Sequence, residues 1–344
     1  MHVLITGGAG FIGSNLAEYH IAKGDRVHVV DDLSTGTEAN LASFANNPAL
    51  RFDQADVLVW PGLEKAASWA DRIYHMAAVV GVFKVLEDPV KVLSTNIAAC
   101  ERVLRAAHAG HWNPQVLVAS TSEVYGTGVS TQQLAAGEVA GTIVDPTTIP
   151  AFQEDMDPMV GSSMVSRWNY SISKLADEAF GISYARAHAM KVCVVRFFNT
   201  VGPRQTGRYG MVLPRFIRQA IAGQPITVYG DGTQTRCFCD VRDTVAALDT
   251  LLANPASYAR IVNVGNAREI SIRALAELVK VRAKSNSPIK YVAYKDAYVE
   301  VFQETVRRRP NLDTFNTLTG YKYAWTLERT IDDLITYEQN KPSA

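Results

Sequence analysis

Four cysteines in 344 residues leave little for covalent cross-linking. Cys100 and Cys193 stand apart, and Cys237 and Cys239 flank one residue of an apolar, strand-like stretch. That spacing is neither C-x-x-C nor a zinc pattern, so reduced, partly buried thiols are expected. The seven histidines form no metal-ligand spacing, and His75, after a strand, is expected to pack there. Net charge is missing too: 34 Lys+Arg balance 34 Asp+Glu. This removes the electrostatic case for nucleic acid or an anionic membrane surface as a partner. No apolar run approaches the roughly 18–20 residues of a membrane span. Met1–Thr6 enters a strand pattern at once, with no charged n-region and apolar h-region, so no signal peptide and a cytoplasmic setting are expected. Internal repeats and low-complexity segments are also absent.

What is present is alternation. Apolar strand runs at Val3–Thr6, Val27–Asp31, Leu50–Gln54, Arg72–Met76 and Val116–Ser120 are separated by helical stretches such as Ile12–Lys23 and Val92–Ala109. Repeated βαβ units predict an α/β fold with a doubly wound parallel sheet buried on both faces. A helix from Tyr170 to about His188 and a strand at Lys191–Phe197 extend the pattern. After Asn199, glycines and prolines break the chain into short pieces, which predicts a smaller, turn-rich lobe. The chain is longer than the roughly 100–150 residues usual for one domain. The expected division is 1–198, with 234–266 returning to it through strand Arg260–Val264, against 199–233 plus 267–344.

Thr6-Gly7-Gly8-Ala9-Gly10-Phe11-Ile12-Gly13 follows the first strand and opens the first helix. Glycines there permit a tight turn and let the backbone approach a pyrophosphate, which the helix N-terminus then attracts. Asp31, about 20 residues on at the end of the second strand, is placed to accept hydrogen bonds from a ribose. A 2′-phosphate would meet like charge there and no Arg immediately follows, so NAD is expected rather than NADP. Asp56, after the third strand, is a candidate for the adenine amino group, with a surface role as the alternative.

Tyr170 and Lys174 lie four apart, which puts a phenol and an ammonium on one helical face. The ammonium should stabilise a phenolate and lower the tyrosine pKa from its usual value near 10.

These motifs resemble the extended short-chain dehydrogenase/reductase family, in its nucleotide-sugar epimerase, dehydratase and decarboxylase branch. The resemblance covers nearly the whole chain. His75-Met76-Ala77-Ala78 resembles the family's H-L-A-A, Thr95-Asn96 its T-N, and Ser120–Gly126 its active-site strand; Arg196–Arg204 and Val228–Arg236 match substrate-lobe motifs. The resemblance implies a Rossmann-type fold and NAD contacts from Gly7, Gly10, Phe11, Ile12, Gly13, Asp31, Asp56, Val57, Ala77, Ala78, Asn96, Tyr170 and Lys174. It makes Tyr170 the base for oxidation at C4 of a UDP-sugar and Thr121 the residue that orients the 4-hydroxyl. Asn199 would contact the nucleotide diphosphate, and Tyr229 and Arg236 the nucleotide end.

Ser122-Glu123 stand where a 4,6-dehydratase has Asp-Glu, which argues against dehydration. UDP-glucuronate decarboxylases resemble the chain in Ser-Glu and in an Arg two residues before a proline. Arg308, in Arg307-Arg308-Arg309-Pro310, fits that place best. Arg167-Trp168, just before Tyr170, also resembles some bacterial decarboxylases. Glu123 would then handle the proton at C5 and Arg308 engage the carboxylate. A UDP-sugar 4-epimerase is the alternative reading, and a non-catalytic nucleotide-binding member a third. The chain departs from the family at Thr127–Pro150, which is longer than the usual loop. The resemblance also implies a homodimer, with the Val92–Ala109 and Tyr170–His188 helices in a four-helix bundle; light scattering that gave a monomer at micromolar concentration would count against it.

Overall fold

A computed structural model describes residues 1–110, 112–126, 149–207, 211–293, 296 and 305–341. The unusual 127–150 loop lies outside the described residues except for its last two positions.

Strands β1 (His2–Thr6), β2 (Arg26–Asp31), β3 (Leu50–Gln54), β4 (Arg72–His75), β5 (Gln115–Thr121) and β6 (Lys191–Phe197) form one parallel sheet. Strand Arg260–Val264 joins its edge, pairing with β6 from Arg260↔Cys193 to Val264↔Phe197. The spatial order is Arg260–Val264, β6, β5, β4, β1, β2, β3, and every neighbouring pair is parallel. The direction of winding reverses between β1 and β4. In such a sheet the crevice beyond the carboxyl ends of these strands is where ligands bind.

Successive side chains of a strand face opposite ways, so β1 feeds two cores. Val3 and Ile5 pack with Leu16, Val29 and Leu248, under helices Phe11–Ala22 and Val241–Ala253. Leu4 packs with Val30, Ile73, Val103 and Val192, under helices Leu63–Trp69, Pro89–Ala109 and Asn169–His188. Burial on both faces explains why the strands read as near-continuous apolar runs. A third core, including Phe216, Val228, Leu275 and Ile331, joins helices Val212–Ile221, Ile272–Arg282 and Leu327–Gln339. Beside it, strand Thr235–Cys237 pairs antiparallel with Glu269–Ser271 and parallel with Arg307–Arg308.

The long helix expected from Val92 starts earlier, at Pro89. Proline needs no N–H partner in a first turn, and the Asp88 carboxylate accepts the Lys91 N–H as cap. This helix lies beside Asn169–His188. Leu93, Ile97, Phe180 and Tyr184 on the pair are half-buried.

At the opposite end of the sheet from the crevice, the Arg72 guanidinium at the start of β4 pairs with Asp249 of helix Val241–Ala253. Lys23 Nζ reaches the same carboxylate at 2.5 Å. Removing one member of a buried pair strands the other charge. Asp249→Asn should therefore lower unfolding stability by about 3–5 kcal/mol, measured by urea denaturation. A loss below about 1 kcal/mol would show the pair to be screened like a surface ion pair.

Candidate active site

The carboxyl ends of β1, β4, β5 and β6 open into a cavity of about 460 Å³, within the roughly 300–1,000 Å³ usual for ligand sites. Its floor is the glycine loop. Gly7 has φ +70 and its N–H donates to the Val30 carbonyl at 2.8 Å. A Cβ on Gly13 would sit 2.2 Å from the Gly7 oxygen, so only glycine lets the helix close on the turn. Gly10, Phe11, Ile12 and Gly13 line the cavity, and the first helical turn carries no acidic side chain to compete for its N–H groups. An anion is accommodated there by the backbone itself.

Asp31 lines the same end of the cavity. Its Oδ2 accepts the Ala9 N–H at 2.9 Å and its Oδ1 the Leu33 N–H at 2.8 Å. Burial raises its carboxyl pKa, with those N–H groups opposing. Each oxygen keeps a further lone pair for a ribose hydroxyl. Cradle, helix end and carboxylate together fit a dinucleotide.

Ala78 reaches the cavity, as do Val80 and Gly81. Four other residues expected at the cofactor do not line it. Asp56 is exposed and caps its own turn, accepting the Leu58 N–H at 2.8 Å, while Val57 is buried in the core. The Ala77 backbone packs against Gly7. Asn96 holds the wall from behind: its Oδ1 accepts the Val79 N–H at 2.7 Å, and its Nδ2 donates to Ser173 Oγ at 3.1 Å. His75 packs as expected, within hydrogen-bond distance of Thr6 Oγ1 at 2.8 Å; burial pushes its pKa down to about 3, so the imidazole is neutral.

Tyr170, Lys174, Thr121, Ser122 and Glu123 meet on the cavity wall. The helix Asn169–His188 delivers the first two and the end of β5 the others. Thr121 Oγ1 accepts the Glu123 N–H at 3.2 Å, which fixes the turn that follows the strand. The phenol differs from the sequence expectation. Burial pushes the Tyr170 pKa up to about 12 and outweighs the lowering by Lys174; Glu123 and Asp177 raise it further. Lys174 Nζ donates to Asp177 Oδ2 at 2.9 Å. The ammonium's field is thus shared between the phenol and a carboxylate one turn further along the helix.

Glu123 accepts from Arg308 Nη1 at 3.1 Å, and Arg167 Nη1 lies 3.8 Å from its other oxygen. Burial works to raise its pKa, but Arg308 and then Arg167 hold the carboxyl below its usual range, with Arg236 adding to them. Glu123 is therefore ionised at neutral pH. Of the arginine triplet, Arg308 is the one buried at the cavity; Arg307 pairs with Glu269 at 2.5 Å, and Arg309 lies 3.8 Å from the same carboxylate. The sheet register sets Arg308 directly opposite Arg236. Arg167, whose guanidinium lies 4.5 Å over the Trp168 ring, stands out in the sequence only through its resemblance to bacterial decarboxylases.

Asn199, Tyr229 and Arg236 also line the cavity. Asn199, at φ 34, donates from Nδ2 to the Cys237 carbonyl at 2.9 Å. The Arg215 guanidinium sits 4.1 Å over the Tyr229 ring and covers one of its faces, a contact no spacing signals.

Residues 3–265 match the model of the NAD dependent epimerase/dehydratase family. The chain belongs to that family. It is accordingly an NAD-dependent enzyme, and its sheet and glycine cradle are the family's fold. Among curated relatives, UDP-N-acetyl-alpha-D-glucosaminuronate decarboxylase of Bacillus cytotoxicus is 34% identical over 339 residues, 97% of this chain and 96% of that protein. UDP-glucuronic acid decarboxylase 1 of Xenopus tropicalis is 31% identical, over 97% of this chain and 71% of that one. Among solved structures, UDP-glucuronic acid 4-epimerase from Bacillus cereus shares the fold, with a TM-score of 0.83, 24% identity, and 98% and 99% of the two chains covered. No helix among the described residues is long and apolar enough to cross a membrane.

Proposed function

We propose that this family member decarboxylates a UDP-uronate after oxidising it at C4. The observation that carries the reading is the charge at the sugar end of the cavity. Three guanidinium groups, of Arg167, Arg236 and Arg308, act on one carboxylate, Glu123. Arg236 and Arg308 stand directly opposite each other on neighbouring parallel strands. Guanidinium groups gathered at one wall suit a ligand that brings a diphosphate and a further carboxylate. The two decarboxylases named above, each matched along 97% of this chain, support the same reading.

Bound NAD would supply the acceptor for the C4 hydride. Tyr170, as phenolate, takes the 4-hydroxyl proton, Lys174 supplies the compensating positive charge, and Thr121 orients the hydroxyl. A C4 ketone makes the C6 carboxylate part of a β-keto acid. Carbon dioxide then leaves, and its bonding electrons pass into the carbonyl as an enolate. Arg308 would engage the carboxylate, and Glu123 would handle the proton that must be delivered to C5. Because Glu123 is ionised in the free protein, it first takes up the proton that it later delivers. Asp31 and the glycine loop hold the cofactor, Asn199 and Arg236 the diphosphate, and Tyr229 the nucleotide end.

Incubation with NAD and either UDP-glucuronate or UDP-N-acetylglucosaminuronate should release carbon dioxide and either a UDP-pentose, when the hydride taken from C4 returns to that carbon, or its 4-keto form with an equivalent of reduced NAD. No carbon dioxide from either, with UDP-galacturonate or UDP-galactose formed from the matching substrate, would replace this reading with a 4-epimerase.

A further inference from the structure

The helix Asn169–His188 carries a third ionisable group on the stripe of Tyr170 and Lys174. Residues at i, i+4 and i+7 share a helical face, and Asp177 is the i+7 of Tyr170. Asp177 is 0% exposed and Lys174 2%. One carboxylate oxygen takes the lysine ammonium at 2.9 Å, and the other, Oδ1, is buried without a hydrogen-bond partner among the described residues, with the Cys100 thiol acting on the same carboxylate. A buried ion pair is seldom more stable than an apolar pair of the same volume, and an unpartnered buried oxygen adds to the cost. Stability therefore does not account for a carboxylate at this place. A fully buried ammonium next to a neutral phenol, on the other hand, needs a counter-charge in contact with it.

We propose that Asp177 is a positioning residue for the Tyr170–Lys174 pair: it anchors the lysine ammonium in the dry interior and sets how readily the pair gives up its first proton. The proposal rests on Tyr170 being the base. Asp177 favours the pair with both protons in place, because each lost proton removes a positive charge that the carboxylate faces. Without that negative charge, and with Lys174 still charged, the Tyr170 proton leaves more easily. The remaining groups that face the pair stay as they are: Glu123 from the turn after β5, Glu178 next along the helix, Cys100 from helix Pro89–Ala109, and the neutral His75 after β4. Glu178 is itself held by Arg196, at 2.8 Å. Lys174, pushed up to about 12 with Asp177 as its main anionic partner, stays charged in the unaltered protein.

The test is an ultraviolet titration of tyrosinate on the full chain loaded with NAD. The unaltered protein and Asp177→Asn are each compared with the same chain carrying Tyr170→Phe, which isolates the Tyr170 signal. In Asp177→Asn that signal should rise at a pH lower by on the order of one unit. The acid limb of the kcat/KM profile should move the same way, and Asp177→Glu should restore both. An unchanged midpoint, or one at higher pH, overturns the proposal. So does failure of both Asp177→Asn and Asp177→Ser to fold while Tyr170→Phe folds, since the carboxylate would then be purely structural. The titration needs no substrate, so an absence of carbon dioxide from UDP-uronates would refute the proposed reaction and leave this result standing.

Discussion

Tyr170→Phe should slow turnover by about 10²–10⁴-fold, the contribution usual for a positioned general base. The loss should fall on kcat, because the ring that lines the cavity remains and only the proton acceptor is removed. The pH dependence has a definite sign. A phenol pushed up to about 12 is ionised to roughly one part in 10⁵ at pH 7. The active form is thus the minor one, and kcat/KM should rise with pH across the neutral range. A nicotinamide bound beside the ring would add positive charge and bring the midpoint down, in the direction Lys174 already acts. Steady-state kinetics of the two chains from pH 6 to about pH 9 measure both effects. Turnover within tenfold of the unaltered enzyme, or a flat profile, would remove Tyr170 from the base role.

Arg308→Met should separate the two steps of the reaction. Carbon dioxide release is expected to fall by about 10²–10³-fold, the loss typical when one charge-stabilising donor is removed from an active site. In the proposed mechanism oxidation at C4 depends on Tyr170, Lys174 and Thr121, whereas the side chain of Arg308 hydrogen-bonds to Glu123 and Thr305. Reduced-nicotinamide absorbance should therefore build up on mixing with the UDP-uronate, and decay slowly. The substitution also leaves Glu123 with Arg167 at 3.8 Å in place of Arg308 at 3.1 Å, so its carboxyl moves back up toward the usual range. Rapid mixing with absorbance and carbon dioxide detection decides the matter. Both steps falling together would mean that Arg308 binds the whole substrate; normal carbon dioxide release would mean that it does neither.

The parts of this architecture that local chemistry dictates are legible in the amino-acid sequence. Strands β1, β2, β4, β5 and β6 announce themselves as apolar runs because both their faces are covered, whereas the edge strand β3, Leu50–Gln54, is only half-buried and carries polar residues. The glycine loop and Asp31 follow from the turn and the helix that they begin and end. Tyr170, Lys174 and Thr121 sit on elements whose spacing places them. Proline is ambiguous at one helix start: Pro89 begins a helix because Asp88 caps it, and a breaker and an N1 residue look alike in one sequence.

What is not legible is whatever depends on tertiary register. Arg308 and Glu123 are 185 residues apart, and their meeting depends on a two-residue strand pairing with Thr235–Cys237. The sharing of Lys174 between Tyr170 and Asp177 is hidden for a different reason. Spacing brings both neighbours within reach, and only burial shows how much each counts. Asp56 and Val57, expected at the cofactor from their place after β3, are turned to a cap and to the core.

That two-residue strand bears on how the enzyme comes into being. The cofactor end of the cavity closes through near neighbours in sequence, as when Asp31 takes the N–H of Ala9, 22 residues away. The sugar end waits for Arg308, close to the end of the chain. A ribosome that releases the chain N-terminus first would expose the glycine cradle and Asp31 while Arg308, to which the proposed second step is assigned, is still unmade. Recognition of the cofactor and command of the product are thus separated in time as well as in space.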